Sequence, residues 1–170
     1  MPLLTIFNCM DSVLRKKCKK VENIDESLVK LTDNMIETMY AASGLGLAAN
    51  QVGVSSNFFV IDVGIPQEKR DPIIIINPTI TASEEDVMGE EGCLSIPDFF
   101  AEVKRAQHVE VKGYDLKGND LRFEAEGILA RAFQHEIDHL NGGLFWDNLS
   151  KVKRDIMQRK FKKQIKEMET

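Results

Sequence analysis

The sequence HEIDH at residues 135–139 constrains this chain more than any other feature. In a helix, residues i and i+4 lie on one face, so the imidazoles of His135 and His139 can reach a single metal ion. Glu136 stands between them and can accept a proton from a water molecule bound to such an ion. Apolar residues at helical spacing predict a helix from Gly127 to Leu140 with one buried flank. The alternative interpretation is a pair of hydrogen-bonded core histidines.

A catalytic metal site needs a third protein ligand besides the two histidines. Zinc endopeptidases find it downstream, but here the downstream glutamates are Glu167 and Glu169, at the end of a basic segment, and no third histidine follows. Upstream, Cys93 lies in the stretch EEGCLS (90–95), after a glycine that gives the backbone freedom. A thiolate is a strong ligand for borderline metals, which makes Cys93 a candidate ligand. A buried free cysteine is the other interpretation.

A glycine-rich loop, GLGLAANQ (44–51), is the third distinctive segment. Its two glycines indicate a backbone that another group approaches closely. The loop follows a predicted helix rather than a strand, and Ala49 stands where a dinucleotide-binding fingerprint needs a glycine, so nucleotide binding is disfavoured. Gln51, at the end of the loop, can donate an amide N–H to a developing oxyanion.

The remaining patterns predict an α+β domain. Residues 25–42 have helical periodicity after a plausible N-cap at Asp25. Apolar, β-branched runs at 58–63 and 72–78 predict strands, and so does the alternation within 102–115, which a hairpin turn follows. Because short turns rather than crossover helices join these strands, we expect mostly antiparallel β-sheets packed around the central HEIDH helix.

The C-terminal segment differs in charge from the rest of the chain. Residues 150–170 contain eight Lys or Arg and three Asp or Glu, a local net charge of +5, whereas the whole chain carries −5. We expect a basic helix here, continuous with the single catalytic domain formed by residues 1–149. Its predicted apolar positions are Val152, Ile156, Phe161, Ile165 and Met168. A basic tail on an acidic body suggests an anionic partner, and a solvated amphipathic helix is the alternative.

Composition excludes several classes of protein. No apolar run approaches the roughly 20 residues that a membrane-spanning helix needs, and the N-terminus does not have the pattern of a classical signal peptide. We therefore expect a cytoplasmic protein. The three cysteines are an odd number, so a disulfide framework is not expected, and Cys9 and Cys18 are interpreted as free thiols.

The segments GLGLAANQ (44–51), EEGCLSIP (90–97) and QHEIDHLNG (134–142), in this order, resemble the peptide deformylase family, and the similarity extends over nearly the whole chain. The resemblance implies hydrolysis of the formyl group from the N-terminal formyl-methionine of nascent polypeptides, with release of formate. It also implies one divalent metal ion. Fe²⁺ is favoured by the family, while Zn²⁺, Ni²⁺ and Co²⁺ accept the same ligands.

The resemblance assigns a role to individual residues of the three segments. The implied metal ligands are Cys93, His135 and His139. Glu136 would activate the metal-bound water as general acid and base. The oxyanion would be held by the metal, Gln51 and the backbone N–H of Leu94, and Gly46 would be a backbone partner for the substrate.

Other residues are candidates for contacts with the substrate. An apolar pocket for the methionine side chain is predicted from Leu45, Ile128 and Ala132. The last two precede His135 by seven and three residues and therefore lie close to its helical face. Arg131 can orient a carboxylate, or it can be a surface charge. Many relatives have Arg or Tyr at the position of Phe100, so the contact to the peptide beyond methionine can differ here.

The resemblance also bears on partners. Some relatives dock on the ribosome through a C-terminal helix, so formyl-methionyl nascent peptides and the ribosome are the expected partners. We expect neither a membrane partner nor sequence-specific binding to nucleic acid. Two rival functions are a zinc endopeptidase, which lacks its downstream ligand here, and a ribosome- or nucleic-acid-binding module with a structural metal. An open metal position beside Glu136 disfavours the second, because structural zinc sites are usually closed by four protein ligands.

Overall fold

The computed structural model describes residues 2–64 and 68–169. Its α-helices and strands are α1 (Glu26–Ala41), β1 (Gly46–Ala48), β2 (Phe58–Ile61), β3 (Ile73–Cys93), β4 (Ile96–Tyr114), β5 (Asp120–Glu126), α2 (Gly127–Leu140) and α3 (Lys151–Met168). The five strands form one antiparallel sheet in the order β1-β2-β3-β4-β5, so each strand pairs with its neighbour in the sequence. The predicted α+β class, the antiparallel pairing and the bounds of α2 are confirmed.

Strand β2 separates two apolar cores because it is buried on both faces. Phe59 and Ile61 point to a core that contains Phe133 and Ile137 of α2. Phe58 and Val60 alternate with them and point to a second core. That second core contains the apolar residues of α1, namely Leu28, Met35 and Met39. The sheet therefore lies between the two helices, and α2 occupies the central position that the sequence predicts.

Strands β3 and β4 extend beyond the rest of the sheet as a two-stranded ribbon. The pairing of β5 with β4 ends at the pair His108–Glu126, but β3 and β4 stay paired as far as the turn Leu94–Ser95. Gln134 of α2 fastens this ribbon to the helix. Its Oε1 accepts from the Ala106 N–H and its Nε2 donates to the Ala106 carbonyl oxygen, both at 2.9 Å. These two hydrogen bonds help keep the tip of the ribbon, which includes Cys93, beside α2.

Two sequence-based expectations about strands need correction. The strand predicted at 72–78 continues to Cys93. This extension was not predicted because residues 81–90 are mostly exposed and have no apolar alternation. The glycine-rich loop also contains β1, a three-residue edge strand that pairs with β2. Gly46 lets β1 lie close to Glu136 of α2, since an added Cβ would lie 2.7 Å from Oε1 of that residue.

Helix α3 has the predicted bounds, but its apolar positions are only partly buried. Phe161 is fully buried, with its ring against Trp146 and Phe99 at centroid distances of 6.0 and 5.9 Å. Val152, Ile156 and Met168 are instead 69%, 42% and 74% exposed. The predicted stripe is therefore wrong at these three positions. None of the described helices combines the length and apolar character that a membrane crossing requires.

Candidate active site

The tip of the β3–β4 ribbon and one flank of α2 bring Cys93, His135 and His139 together. The Sγ atom of Cys93 lies 3.3 Å from Nε2 of His139, and Nε2 of His139 lies 3.1 Å from Nε2 of His135. All three potential ligand atoms are within 4.8 Å of one another, and residues 2–64 and 68–169 contain no other such group of three or more. Ligands of one tetrahedral ion lie about 3.3–3.6 Å apart, given metal–ligand lengths of about 2.0–2.3 Å. The three side chains can therefore hold one metal ion.

His139 is poised to present an uncharged ring. Burial and the neighbouring His135 hold the pKa of His139 well below its ordinary value, so the imidazole is neutral and has a lone pair to share. Its backbone is also fixed, because the amide of Asn50 donates to the His139 carbonyl oxygen. This contact joins α2 to the turn that follows β1.

His135 is oriented by Glu91, a residue that sequence reasoning did not single out. Nδ1 of His135 lies 2.9 Å from Oε1 of Glu91, which leaves Nε2 directed at His139. Burial favours the neutral acid, but hydrogen bonds from Arg105 and His135 lower the pKa of Glu91 to about 2. Arg105 binds both carboxylate oxygens, at 2.8 and 2.9 Å, and Arg131 adds a contact at 2.7 Å. Glu91 is therefore ionised and fully engaged.

Glu136 has a different environment from Glu91, although both carboxyl groups are buried. Its burial raises the pKa of Glu136 to about 7. Its Oε2 has no hydrogen-bond partner within the described part of the chain. Oε1 lies 4.0 Å from Nε2 of His135, so the carboxyl group stands beside the potential ligands. A buried oxygen without a protein partner is costly unless another molecule binds there, and a pKa near neutrality suits proton transfer.

Gln51 has an orientation that its neighbours determine. Its Oε1 accepts from the Ala48 N–H at 2.9 Å, so the amide nitrogen must point the other way. There Nε2 donates to Oγ of Ser95 at 3.1 Å and lies 3.7 Å from Sγ of Cys93. Leu94 is the first residue of the turn between β3 and β4, and it lines the same cavity. The Gln51 amide thus directs a donor toward the cysteine sulfur.

A cavity of about 470 Å³ gives access to these groups. The substrate-binding candidates of the sequence analysis all line it, and they are Leu45, Gly46, Ile128, Arg131 and Ala132. Leu45 and Ile128 are 45% and 57% exposed and form part of its mouth. The guanidinium of Arg131 is bound within the protein, to Glu91 and to the carbonyl oxygen of Val103 at 2.9 Å. Phe100 also lines the cavity.

Several residues of the site were missed by the sequence analysis. Arg105 lies on β4 and also forms an ion pair with Asp138 of α2. Glu91 could have been found, because side chains at i and i+2 of a strand share one face, and Cys93 is two residues away. The contribution of Asn50 left no such signal, since its partner is a backbone carbonyl 89 residues away along the chain.

Comparison with known proteins gives consistent results. The family model described as polypeptide deformylase matches residues 3–155. A peptide deformylase from Syntrophobacter fumaroxidans is 50% identical over 167 residues, which is 98% of either chain. The crystal structure of a peptide deformylase from Legionella pneumophila has a TM-score of 0.92 and 44% identity, over 98% of both chains. One from Ehrlichia chaffeensis in complex with actinonin has a TM-score of 0.90 and 44% identity, over 96% of this chain and 98% of that one.

We predict that Glu91→Gln destabilises the metal-free protein strongly. The variant removes the carboxylate that binds Arg105 through both oxygens and leaves this buried cation with Asp138 alone, so we expect the free energy of unfolding to fall by about 3–5 kcal/mol. Glu90→Gln changes an exposed neighbour on the same strand and should stay within about 0.5 kcal/mol of the wild type. Urea unfolding at neutral pH measures both variants, and equal stabilities would contradict the structural role of Glu91.

The stability lost in Glu91→Gln should also depend on pH. Since the folded state lowers the pKa of Glu91 from 4.5 to about 2, its contribution is complete above pH 4.5 and is lost as the pH falls toward 2. The stability difference between wild type and Glu91→Gln should therefore shrink over that interval. A constant difference would show that the charge of Glu91 is not responsible.

Proposed function

The chain belongs to the polypeptide deformylase family, and we propose that it hydrolyses the formyl group from the N-terminal formyl-methionine of nascent polypeptides and releases formate. The observation that carries this proposal is the meeting of Cys93, His135 and His139 beside the buried, unpartnered oxygen of Glu136. We also propose that it acts in the cytoplasm, where such chains emerge from the ribosome.

The three converging side chains are the proposed ligands of one divalent metal ion. When bound, the ion would lower the pKa of a water molecule and polarise the formyl carbonyl. Fe²⁺ is favoured by the family, and Zn²⁺, Ni²⁺ and Co²⁺ suit the same nitrogen and sulfur donors. The described residues offer three ligands and not four, which supports a catalytic rather than a structural site.

Glu136 is the proposed general acid and base. Its carboxylate takes a proton from the attacking water and then delivers it to the amine that leaves as the formyl C–N bond breaks. A pKa of about 7 supports both halves of this task, because the group can accept and release a proton near neutral pH. Burial behind Gly46 keeps bulk water away from this proton.

Gln51 and the backbone N–H of Leu94 are the proposed donors to the oxyanion. The fixed orientation of the Gln51 amide supports its part, because a donor that is already in position needs no reorganisation during the reaction. Leu94 lies in a tight turn whose neighbouring residue, Cys93, is a proposed ligand. Its N–H is therefore fixed in the chain next to the proposed metal ligand.

The substrate is proposed to lie along β1, the edge strand of the sheet. Gly46 belongs to this strand and lines the cavity, so its backbone can pair with an extended peptide. Leu45, Ile128 and Ala132 supply apolar surface for the methionine side chain. Arg131 forms a wall of the cavity and supports Glu91 from that position.

We predict that Glu136→Gln lowers kcat/KM by about 10²–10⁴-fold, the range for losing a general acid–base group. The amide cannot take the proton, but it fills the same space, so metal content should not change. The measurement is formate release from a formyl-Met dipeptide, with metal analysis of the same preparation. Glu102→Gln, an exposed change on β4, is the control. Near-normal turnover would remove the proposed role, and loss of metal would make Glu136 a ligand.

We predict that Cys93→Ser weakens metal binding at least tenfold, whereas Cys9→Ser and Cys18→Ser do not. A serine hydroxyl stays protonated and is a poor ligand for borderline metals. Burial raises the pKa of Cys9 to about 12 and that of Cys18 to about 11, so neither thiol is a ready ligand. Competition with a chelator measures the affinity, and stoichiometric, tight metal in Cys93→Ser would refute the assignment.

Helix α3 is proposed to dock on the ribosome as part of the same domain as residues 1–149. The buried ring of Phe161 supports the single domain, because it fixes the helix to the body. With one side of α3 held, Arg159, Lys162 and Lys166 lie together on a side turned away from Phe161. These cations are the proposed contacts with phosphate groups.

We predict that Lys162→Glu combined with Lys166→Glu weakens co-sedimentation with ribosomes, and that added salt weakens co-sedimentation of the wild type. Each phosphate contact releases counterions, so the affinity falls steeply with ionic strength. Hydrolysis of a formyl-Met dipeptide by the double variant should be unchanged. Unchanged co-sedimentation of the double variant at both low and high salt would leave α3 as a solvated helix.

A further inference from the structure

A second groove of about 360 Å³ lies between α3 and the first residues of β4. Its lining residues are Asp98, Phe99, Phe100, Lys153, Ile156, Met157 and Lys160. Apart from Phe100, whose position is already connected with the peptide beyond methionine, none of these residues has a role in the reaction proposed above. Ile156, which is exposed although an apolar stripe was expected there, is one of them. Its side chain therefore contributes to the surface of this groove.

The groove adjoins the catalytic cavity. Asp98 and Phe100 line both of them. Phe100 is 63% exposed, and its ring lies so close to Gly92 that an added Cβ there would be 2.5 Å from the ring. The ring therefore rests on the backbone just before Cys93, at the boundary between cavity and groove. Phe100 is therefore where a chain leaving the cavity would meet the groove.

The groove has an apolar floor and a basic side. Ile156 is 42% exposed and Met157 is half-buried. Lys153 and Lys160 are seven residues apart, two turns of the helix, and so flank this floor on one side of α3. Asp98 is the only carboxylate among the lining residues, and its Oδ2 already accepts from Gln164 of α3 at 3.2 Å.

We propose that this groove receives the part of the formyl-peptide downstream of methionine, and that it selects acidic side chains there. The proposal rests on the deformylase function proposed above. An extended peptide advances about 3.3 Å per residue, so residues beyond a dipeptide lie progressively farther from the reacting formyl group. The apolar floor accommodates the stems of side chains, and Lys153 and Lys160 attract carboxylates. Phe100, Lys153 and Lys160 are thus specificity residues that act on kcat/KM of long substrates.

The test compares formyl-Met peptides that carry Glu, Ala or Lys at successive downstream positions. Lys153→Glu with Lys160→Glu removes the proposed selectivity. Lys162→Glu with Lys166→Glu is the matched control, because it makes the same change in net charge on the other side of the same helix. Formate release from a formyl-Met dipeptide, which lacks the farther downstream residues, reports the basal activity of all three proteins.

In the wild type, we expect kcat/KM to favour Glu over Lys about two- to tenfold at one or more downstream positions, as one or two exposed ion pairs allow. This preference should decrease with added salt. It should vanish or reverse in Lys153→Glu with Lys160→Glu, persist in the control pair, and leave dipeptide turnover equal in all three proteins.

Two results would overturn the proposal. The first is a wild type without any charge preference, and the second is the same preference in both double variants. In the second case, loss of ribosome co-sedimentation in Lys153→Glu with Lys160→Glu would assign the groove to the ribosome. If the metal-loaded wild type released no formate from the formyl-Met dipeptide, this result would instead refute the deformylase function, and the present inference with it.

Discussion

The arrangement of the site depends on one buried carboxylate, that of Glu91. It joins the tip of the ribbon to α2, because Arg105 of the ribbon and His135 and Arg131 of α2 all bind it. An isolated buried charge is costly, but one that accepts several charge-assisted hydrogen bonds is tolerated. Breaking these bonds would loosen the ribbon tip around Cys93 and leave Gln134 and the Arg105–Asp138 ion pair to hold the ribbon on α2. Glu91, which is not one of the three proposed ligands, therefore helps to fix the distance between the cysteine sulfur and the two imidazoles.

Helix α2 meets two requirements with only 14 residues. Phe133 and Ile137 pack in the core, while His135 and Glu136 face the cavity. The two glutamates near this helix, Glu91 and Glu136, are both buried but have opposite pKa shifts. Cations surround Glu91 and keep it charged, whereas burial outweighs the charges near Glu136. The same low-polarity surroundings thus produce one permanent anion and one group that can exchange a proton near neutral pH.

The sequence predicted those parts of the fold whose pattern repeats locally. Helices α2 and α3 have strong periodicity or clear charge, and their predicted bounds hold. Strand β1 was not predicted, because it has three residues and begins at Gly46. The strand predicted within 102–115 covers part of β4, but the β3 half of the ribbon was not predicted, because its exposed residues need no apolar alternation when only its tip and one face touch α2. The burial of each apolar residue of α3 depends on which part of the helix the rest of the domain covers. No local sequence pattern encodes this tertiary contact.

The position of Phe161 also determines how α3 can use its charges. Because this buried ring fixes the rotation of the helix, Lys153 and Lys160 always face the groove beside Phe100, and Lys162 and Lys166 always face away from it. A freely rotating basic helix could offer either set to one partner at a time. A fixed one presents both sets at once, so contact with the ribosome and contact with the emerging peptide need not compete. If both proposals hold, a single helix places the enzyme beside the chain it processes and also helps select that chain.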